Sequence, residues 1–171
     1  ANDEKPWATF LSFVCPHPPY ISPQDCFDLY DPETLPMPPQ WQQTDWPNHP
    51  AIDYFRRFFT FDPQFPEAMV RQMNAAYYGV VTYLDRQVGR VLDSLDELGL
   101  AENTRVIYTS DHGEHLGGRG IYGKFTMYEE SAGIPMLAAG PDVPVGKVVD
   151  TPVSLIDSFP TILEAVGAHL K

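Results

Sequence analysis

The residue types best suited to chemistry stand together in Ser110-Asp111-His112-Gly113-Glu114-His115. A carboxylate and an imidazole at adjacent positions, just after a short apolar run, can both turn toward one ion. Asp suits hard cations such as Ca2+, Mg2+ and Mn2+, and Gly113 lets the backbone turn sharply or approach closely. The same residues also read as a plain turn, with Asp111 capping a helix and His112 in solvent. Further on, Lys124 follows Leu116-Gly117-Gly118-Arg119-Gly120-Ile121-Tyr122-Gly123. Four glycines in eight residues predict a flexible loop, and an ammonium at its end can meet an anionic group. An ordinary surface lysine is the alternative. His17 lies in Cys15-Pro16-His17-Pro18-Pro19-Tyr20, where prolines stiffen the backbone. Histidine works as a general acid near neutral pH; a ring packed among aromatics is the other reading.

These residues need elements to position them. Trp7 to Val14 (WATFLSFV) is an apolar run of strand length, suited to a buried strand, and the prolines after it mark a loop leaving its end. Residues 21–66 are rich in Pro, Asp, Gln and Trp and carry no sustained period. Trp41, Trp46, Phe55, Phe58, Phe59 and Phe61 predict that this stretch is an ordered, substrate-side excursion with some short helix. Apolar residues then recur at Val70, Met73, Tyr77, Val80, Leu84, Val88, Val91 and Leu95. Steps of three and four predict one amphipathic helix over 66–98, started by Pro66-Glu67 and stopped at Leu98-Gly99. Gly79 is where a bend is expected, and Asp85, Arg86 and Arg90 form the solvated face. Arg105 to Thr109 is a second strand, Ile134 to Ala139 a third and Val148-Val149 a marginal fourth. Asp157 to Val166 reads as a closing helix. The order helix, tight loop, strand is an α/β pattern, and ligands in open α/β sheets bind beyond the carboxyl ends of strands.

Composition narrows the partners. The 171 residues are 43% hydrophobic, enough for one domain with a core, and carry a formal net charge of −12. That charge disfavours nucleic acid, whose phosphates need a basic face, and an anionic membrane surface. No apolar run is long enough to span a bilayer. Cys15 and Cys26 read as two free thiols, with a bridge across the Pro-rich loop as the alternative. The opening Ala-Asn-Asp-Glu-Lys-Pro is neither a signal peptide nor an initiator Met, so the natural start is expected upstream.

Four segments in order resemble the sulfatase family of the alkaline phosphatase superfamily: SFVCPHPPY (12–20), AAYYGVVTYLDRQVGRVLDSLDELGL (75–100), TRVIYTSDHGEHLGGRGIYGKFTMYEESAGIPMLAAGP (104–141) and VSLIDSFPTILEAVG (153–167). The resemblance implies an α/β, alkaline phosphatase-like sandwich with a mostly parallel central sheet, of which residues 1–171 form the C-terminal and incomplete part. It implies that Asp111 and His112 are metal ligands. It further implies that Lys124 contacts the transferred sulfate and that His17 stands beside the leaving-group oxygen. Where many members have Asn, His112 resembles the branch of choline sulfatases and phosphonate monoester hydrolases. The implied cofactor is a divalent cation, Ca2+ first, with Mg2+ or Mn2+ as alternatives. The implied substrate is a small sulfate ester, or a phosphonate or phosphate ester.

Two family features are missing from the sequence: an early pair of Asp ligands, and the Cys/Ser-x-Pro-x-Arg whose first residue becomes a formylglycine nucleophile. Cys15-Pro16-His17-Pro18-Pro19 has the wrong pattern, and Ser158-Phe159-Pro160-Thr161-Ile162 has Ile162 in place of Arg. The formylglycine is therefore expected in an N-terminal part of the same domain. Three readings follow: part of a metal-dependent sulfuric ester hydrolase, part of a phosphonate monoester or phosphodiester hydrolase, or a non-catalytic metal-binding or interaction module.

Overall fold

The computed structural model describes residues 6–59, 61 and 64–168. The sequence reading of the chain's start falls on residues 1–5, which lie outside these. The described elements run α1 (Gln24–Phe27), α2 (Pro50–Phe58), α3 (Glu67–Glu97), β1 (Val106–Thr109), α4 (Glu129–Ala132), β2 (Met136–Ala139) and α5 (Ser158–Ala165), with short 3-10 turns between. They fall into two units: Val14–Val143, and a smaller one of residues 1–13 with 144–171.

In the larger unit α3 is the organising element. Its length is about 46 Å, and its periodic apolar residues turn inward as their spacing requires. Val70, Val80 and Leu84 are buried and Met73, Tyr77, Val88, Val91 and Leu95 partly so. The helix is continuous through Gly79. Gly79 serves close approach. A Cβ there would stand 2.6 Å from Ser22 Oγ and 3.2 Å from Phe27 Cα, so the glycine lets α1 lie directly on the helix. Arg86, read from sequence as a solvated charge, makes a salt bridge of 2.5 Å to Asp25 and lies 3.1 Å from the buried Cys26 Sγ. Cys15 and Cys26 are both thiols.

The irregular stretch is held against α3 by polar contacts. Tyr30 and Thr82 share a 2.6 Å hydrogen bond, and Arg71 Nη1 donates to the carbonyls of Pro32, Glu33 and Leu35 at 3.2–3.4 Å. Its helix α2 carries Arg56, which stacks 4.4 Å above the Trp46 ring and pairs with Asp53.

The sheet departs from expectation. Among the described residues it has two strands, and they are antiparallel, with Val106 opposite Ala139 and Thr109 opposite Met136. Among the described residues the remaining candidate strands find no ladder partner, so no parallel pairing occurs there. Residues 7–14 are irregular, with Phe10 92% exposed, and Val148-Val149 is irregular too. The ribbon keeps Ile107 38% and Leu137 58% exposed. In the smaller unit, Ser154 and Asp157 form a reciprocal capping box ahead of α5.

The contrast between two helical glycines gives a test. Gly79→Ala is expected to cost about 1–3 kcal/mol through overpacking against α1. Gly89→Ala, whose Cβ would meet nothing within 4 Å, is expected to gain up to about 1 kcal/mol from helix propensity. Denaturant titrations of the two variants measure both signs; a stabilised Gly79→Ala would refute the close-approach reading.

Candidate functional site

Three segments of the larger unit carry the site. The first is the Pro-rich loop. His17 N–H donates to Val14 O at 3.0 Å, which closes a turn, and Nδ1–H donates to Pro18 O at 2.8 Å. Three residues on, the Tyr20 ring meets Tyr77 of α3 edge-on at 5.4 Å. The loop is thereby pinned to the long helix just beyond its histidine.

The second segment leaves β1. His112 N–H donates to Asp111 Oδ1 at 3.1 Å, Ser110 Oγ donates to His112 O at 2.8 Å, and His112 Nδ1–H donates to Gly113 O at 2.8 Å. That last bond leaves the lone pair on Nε2, which stands 3.6 Å from Asp111 Oδ2. The two atoms are electron-pair donors side by side, an arrangement that suits a shared cation. Gly113 is essential here: its N–H donates to Ser131 O at 2.8 Å, and a Cβ would fall 2.2 Å from Glu130 O.

The third segment is the Gly-rich loop, which is tied rather than flexible. Glu114 Oε1 accepts N–H groups from Leu116 at 3.2 Å and Gly123 at 2.5 Å. His115 N–H donates to Gly123 O at 3.1 Å, and Gly117 N–H to Ile121 O at 2.9 Å. Arg119 binds Glu130 at 2.7 Å and lies 4.1 Å above the Tyr128 ring, while its carbonyl accepts from Arg56 at 3.0 Å. Glycines supply no side chains to fix such a loop, so neighbouring acids and the excursion's aromatics do so. Phe125 stacks on Phe59 at 4.4 Å, and Tyr122 meets Phe61 and Phe65, each at 5.3 Å.

The outcome is convergence. Lys124 Nζ lies 2.9 Å from His17 Nε2, across 107 positions of sequence, and the His17 and His112 rings meet at 6.4 Å. His17 thus links Lys124 to His112, and Asp111 lies beside His112. The ammonium can only donate, so His17 is held with its proton on Nδ1 and its lone pair on Nε2 toward Lys124. Asp111, with its side chain 83% exposed, and His112 present one carboxylate oxygen and one imidazole nitrogen to a cation. They fit a hard divalent ion as part of its ligand set, since such ions take six or more donors. No group of three or more His, Cys, Asp or Glu that could hold a metal occurs among the described residues.

Sequence reasoning passed over Glu114, Arg119, Tyr20 and His115. Glu114 and His115 stood within the same hexapeptide, but turn residues have no period to say which way they face. His115 is buried, its Nε2 2.7 Å from Thr126 Oγ1 and its Nδ1 without a partner. Cys15 lies on the His17 loop, and Ser158 opens α5 in the smaller unit.

The sequence profile of the family described as Sulfatase matches residues 1–168. A protein named Sulfatase from Formosa agariphila is 34% identical over 170 residues, which is 97% of this chain and 33% of that protein. A choline-sulfatase of Rhizobium meliloti is 33% identical over 179 residues, 99% of this chain and 34% of its own length. Among solved structures, the phosphonate monoester hydrolase of Silicibacter pomeroyi superposes with a TM-score of 0.74 at 30% identity. The match covers 90% of this chain and 32% of that one. The chain spans about a third of the length of the curated relatives it matches.

His115 makes stability pH-dependent. Burial holds its imidazole below the ordinary value, Glu130 and Glu114 oppose that shift, and Arg119 adds to it. The unfolded chain then binds more protons than the folded one below pH about 6.5. The contribution is whole above that pH and is lost progressively as pH falls below it through the lower folded-state value. Glu130, held low by Arg119 against its own burial, acts only at lower pH, below the unfolded carboxylate value. Urea titrations between pH 7 and 5.5 should show falling stability, and a shallower slope in His115→Gln. Equal slopes would remove His115 from the effect.

Proposed function

This chain belongs to the sulfatase family, of the alkaline phosphatase superfamily, and from that premise we propose that it forms the C-terminal part of a metal-dependent sulfuric ester hydrolase domain. One observation carries the proposal: His17, Asp111, His112 and Lys124, from three distant segments, converge with complementary donors and acceptors. Asp111 Oδ2 and His112 Nε2 are the residues that would hold the cation, Ca2+ first, with Mg2+ or Mn2+ as alternatives. When bound it supplies charge stabilisation to the nonbridging oxygens of the ester. Lys124 binds the same oxygens as a compact cation. In doing so it leaves His17 Nε2, which then takes up a proton from solvent and carries it to the leaving oxygen. The Nδ1 bond to Pro18 O keeps the ring aimed while it does so.

The nucleophile, a formylglycine, and the remaining ligands come in this proposal from other residues of the domain. The exposed Ile107 and Leu137 of the two-stranded ribbon support a covering layer from the same source. There the ribbon would join the mostly parallel sheet expected from the resemblance, since an isolated hairpin-like pair is marginal in water. Phosphonate monoester or phosphodiester hydrolysis is the second reading, favoured by the similarity to a phosphonate monoester hydrolase. Both reactions use the same cationic clamps. Rates of the full-length protein on 4-nitrophenyl sulfate and on 4-nitrophenyl phenylphosphonate separate them, and hydrolysis of neither would overturn both.

Two variants of the full-length protein test the assigned roles. Lys124→Ala is expected to lose about a hundredfold in rate, about 3 kcal/mol of transition-state stabilisation, with little change in melting temperature. Arg at this position restores little, because its planar fork differs from an ammonium. Wild-type kinetics in Lys124→Ala would make it an ordinary surface lysine.

His17→Ala separates acid catalysis from binding by leaving group. An alkoxide needs protonation as it departs, whereas nitrophenolate needs little. Alkyl esters should therefore suffer far more than nitrophenyl esters. Equal losses on both would leave His17 only a binding role.

A further inference from the structure

Glu114 has no part in the chemistry above, yet its half-buried carboxylate occupies the junction of the site's loops. Oε1 takes the N–H of Gly123 at 2.5 Å and that of Leu116 at 3.2 Å, so one oxygen gathers both ends of the Gly-rich segment. Gly123 has φ 83°, a left-handed conformation that glycine adopts and leaves easily. Nothing in its own side chain fixes the peptide that leads into Lys124. The body of the loop has other ties, among them Gly117 N–H to Ile121 O and Arg119 to Glu130, and the peptide that joins Gly123 to Lys124 is held at its carbonyl by His115 N–H at 3.1 Å. The Gly123 amide, one residue before Lys124, is held by Glu114.

The same carboxylate is the charge beside three tyrosines. Burial first, then Glu114, pushes Tyr77 and Tyr122 up to about 12 and Tyr20 higher still. Tyr20 belongs to the His17 loop, and its hydroxyl is buried beside the Glu114 carboxylate. Glu114 thus stands between the loop that carries the lysine and the loop that carries the histidine.

We propose that Glu114 is a positioning residue that fixes the direction in which Lys124 leaves its loop, and so holds the ammonium at His17 and the transferred group. The proposal rests on the role given to Lys124 above. It separates from a merely structural role because its effect on turnover must pass through the ammonium.

A double-mutant cycle in the full-length protein tests this, with whichever of the two nitrophenyl esters the wild type hydrolyses faster. Glu114→Ala should lower kcat about tenfold. In the Lys124→Ala background the same change should cost less than about twofold, since no ammonium remains to misplace. Glu114→Gln keeps an oxygen acceptor for Gly123 N–H and should recover most of the loss. If Glu114→Ala costs the same factor in both backgrounds, or leaves kcat unchanged, the proposal is overturned. Should circular dichroism show Glu114→Ala unfolded, Glu114→Asp, which keeps the charge but withdraws the acceptor, takes its place in the cycle. A loss confined to the Lys124 background then supports the proposal, and an equal loss in both backgrounds overturns it. Wild-type kinetics in Lys124→Ala alone would overturn the functional reading and this inference together. A large Lys124→Ala loss with additive Glu114 losses would sink only the inference.

Discussion

The contact between Lys124 Nζ and His17 Nε2 sets the demand that the rest of the larger unit answers. A loop made of prolines and a loop made of glycines must deliver two side chains to the same point. Neither can do so by regular structure: proline removes donors, and glycine leaves the backbone loose. Both loops are therefore fastened from outside. The proline loop is fastened to α3 through Tyr20 and Tyr77, and the chain after it through Tyr30 and Thr82. The glycine loop is fastened by carboxylates and by aromatic rings from the excursion. The long helix is the common support, and the close approach at Gly79 lets the first fastening lie flat on it.

The excursion before α3 thus acquires a purpose that its irregular sequence hides. Arg56 reaches from α2 to the Arg119 carbonyl at 3.0 Å, and Phe55 and Phe59 stack on the residue that follows Lys124. Side chains of one irregular stretch supply the packing that a run of glycines lacks. Such an arrangement depends on long-range contacts, so it has no local signature. Only the density of aromatics in residues 41–61 hinted that the stretch packs down.

What was legible in the sequence follows from how each feature is encoded. Helix α3 was legible because burial of one face imposes a period, and Val70 through Leu95 keep it for seven turns or so. The strand before Asp111 and the pairing of Asp111 with His112 were legible because adjacent residues after a strand share a location. Trp7 to Val14 was misread because an apolar run states a wish for burial, not the presence of a ladder partner. Parallel pairing was likewise beyond the sequence, since no residue type distinguishes the two directions and here β1 and β2 run antiparallel. Arg86 does lie on the solvated face, as its place in the period implies, but its pairing with Asp25, like the role of Glu114, comes from tertiary placement, which periodicity does not carry.

Electrostatics gives the site its remaining logic. An anionic ester approaching a chain of net charge −12 meets an unfavourable field, but at physiological salt that field is screened beyond about 8 Å. The charges close to the site therefore decide. Arg56 and Arg119 lie nearby, yet each is paired, with Asp53 and with Glu130. That leaves Lys124, which has no carboxylate partner among the described residues, and the exposed carboxylate of Asp111 as an opposing charge of the same site. The described side chains alone thus give almost no net attraction for a sulfate or phosphonate. An ion held by Asp111 and His112 would cancel the carboxylate, satisfy the two facing lone pairs, and leave Lys124 as uncompensated positive charge. In the proposed reading, ester binding and metal binding would therefore favour each other.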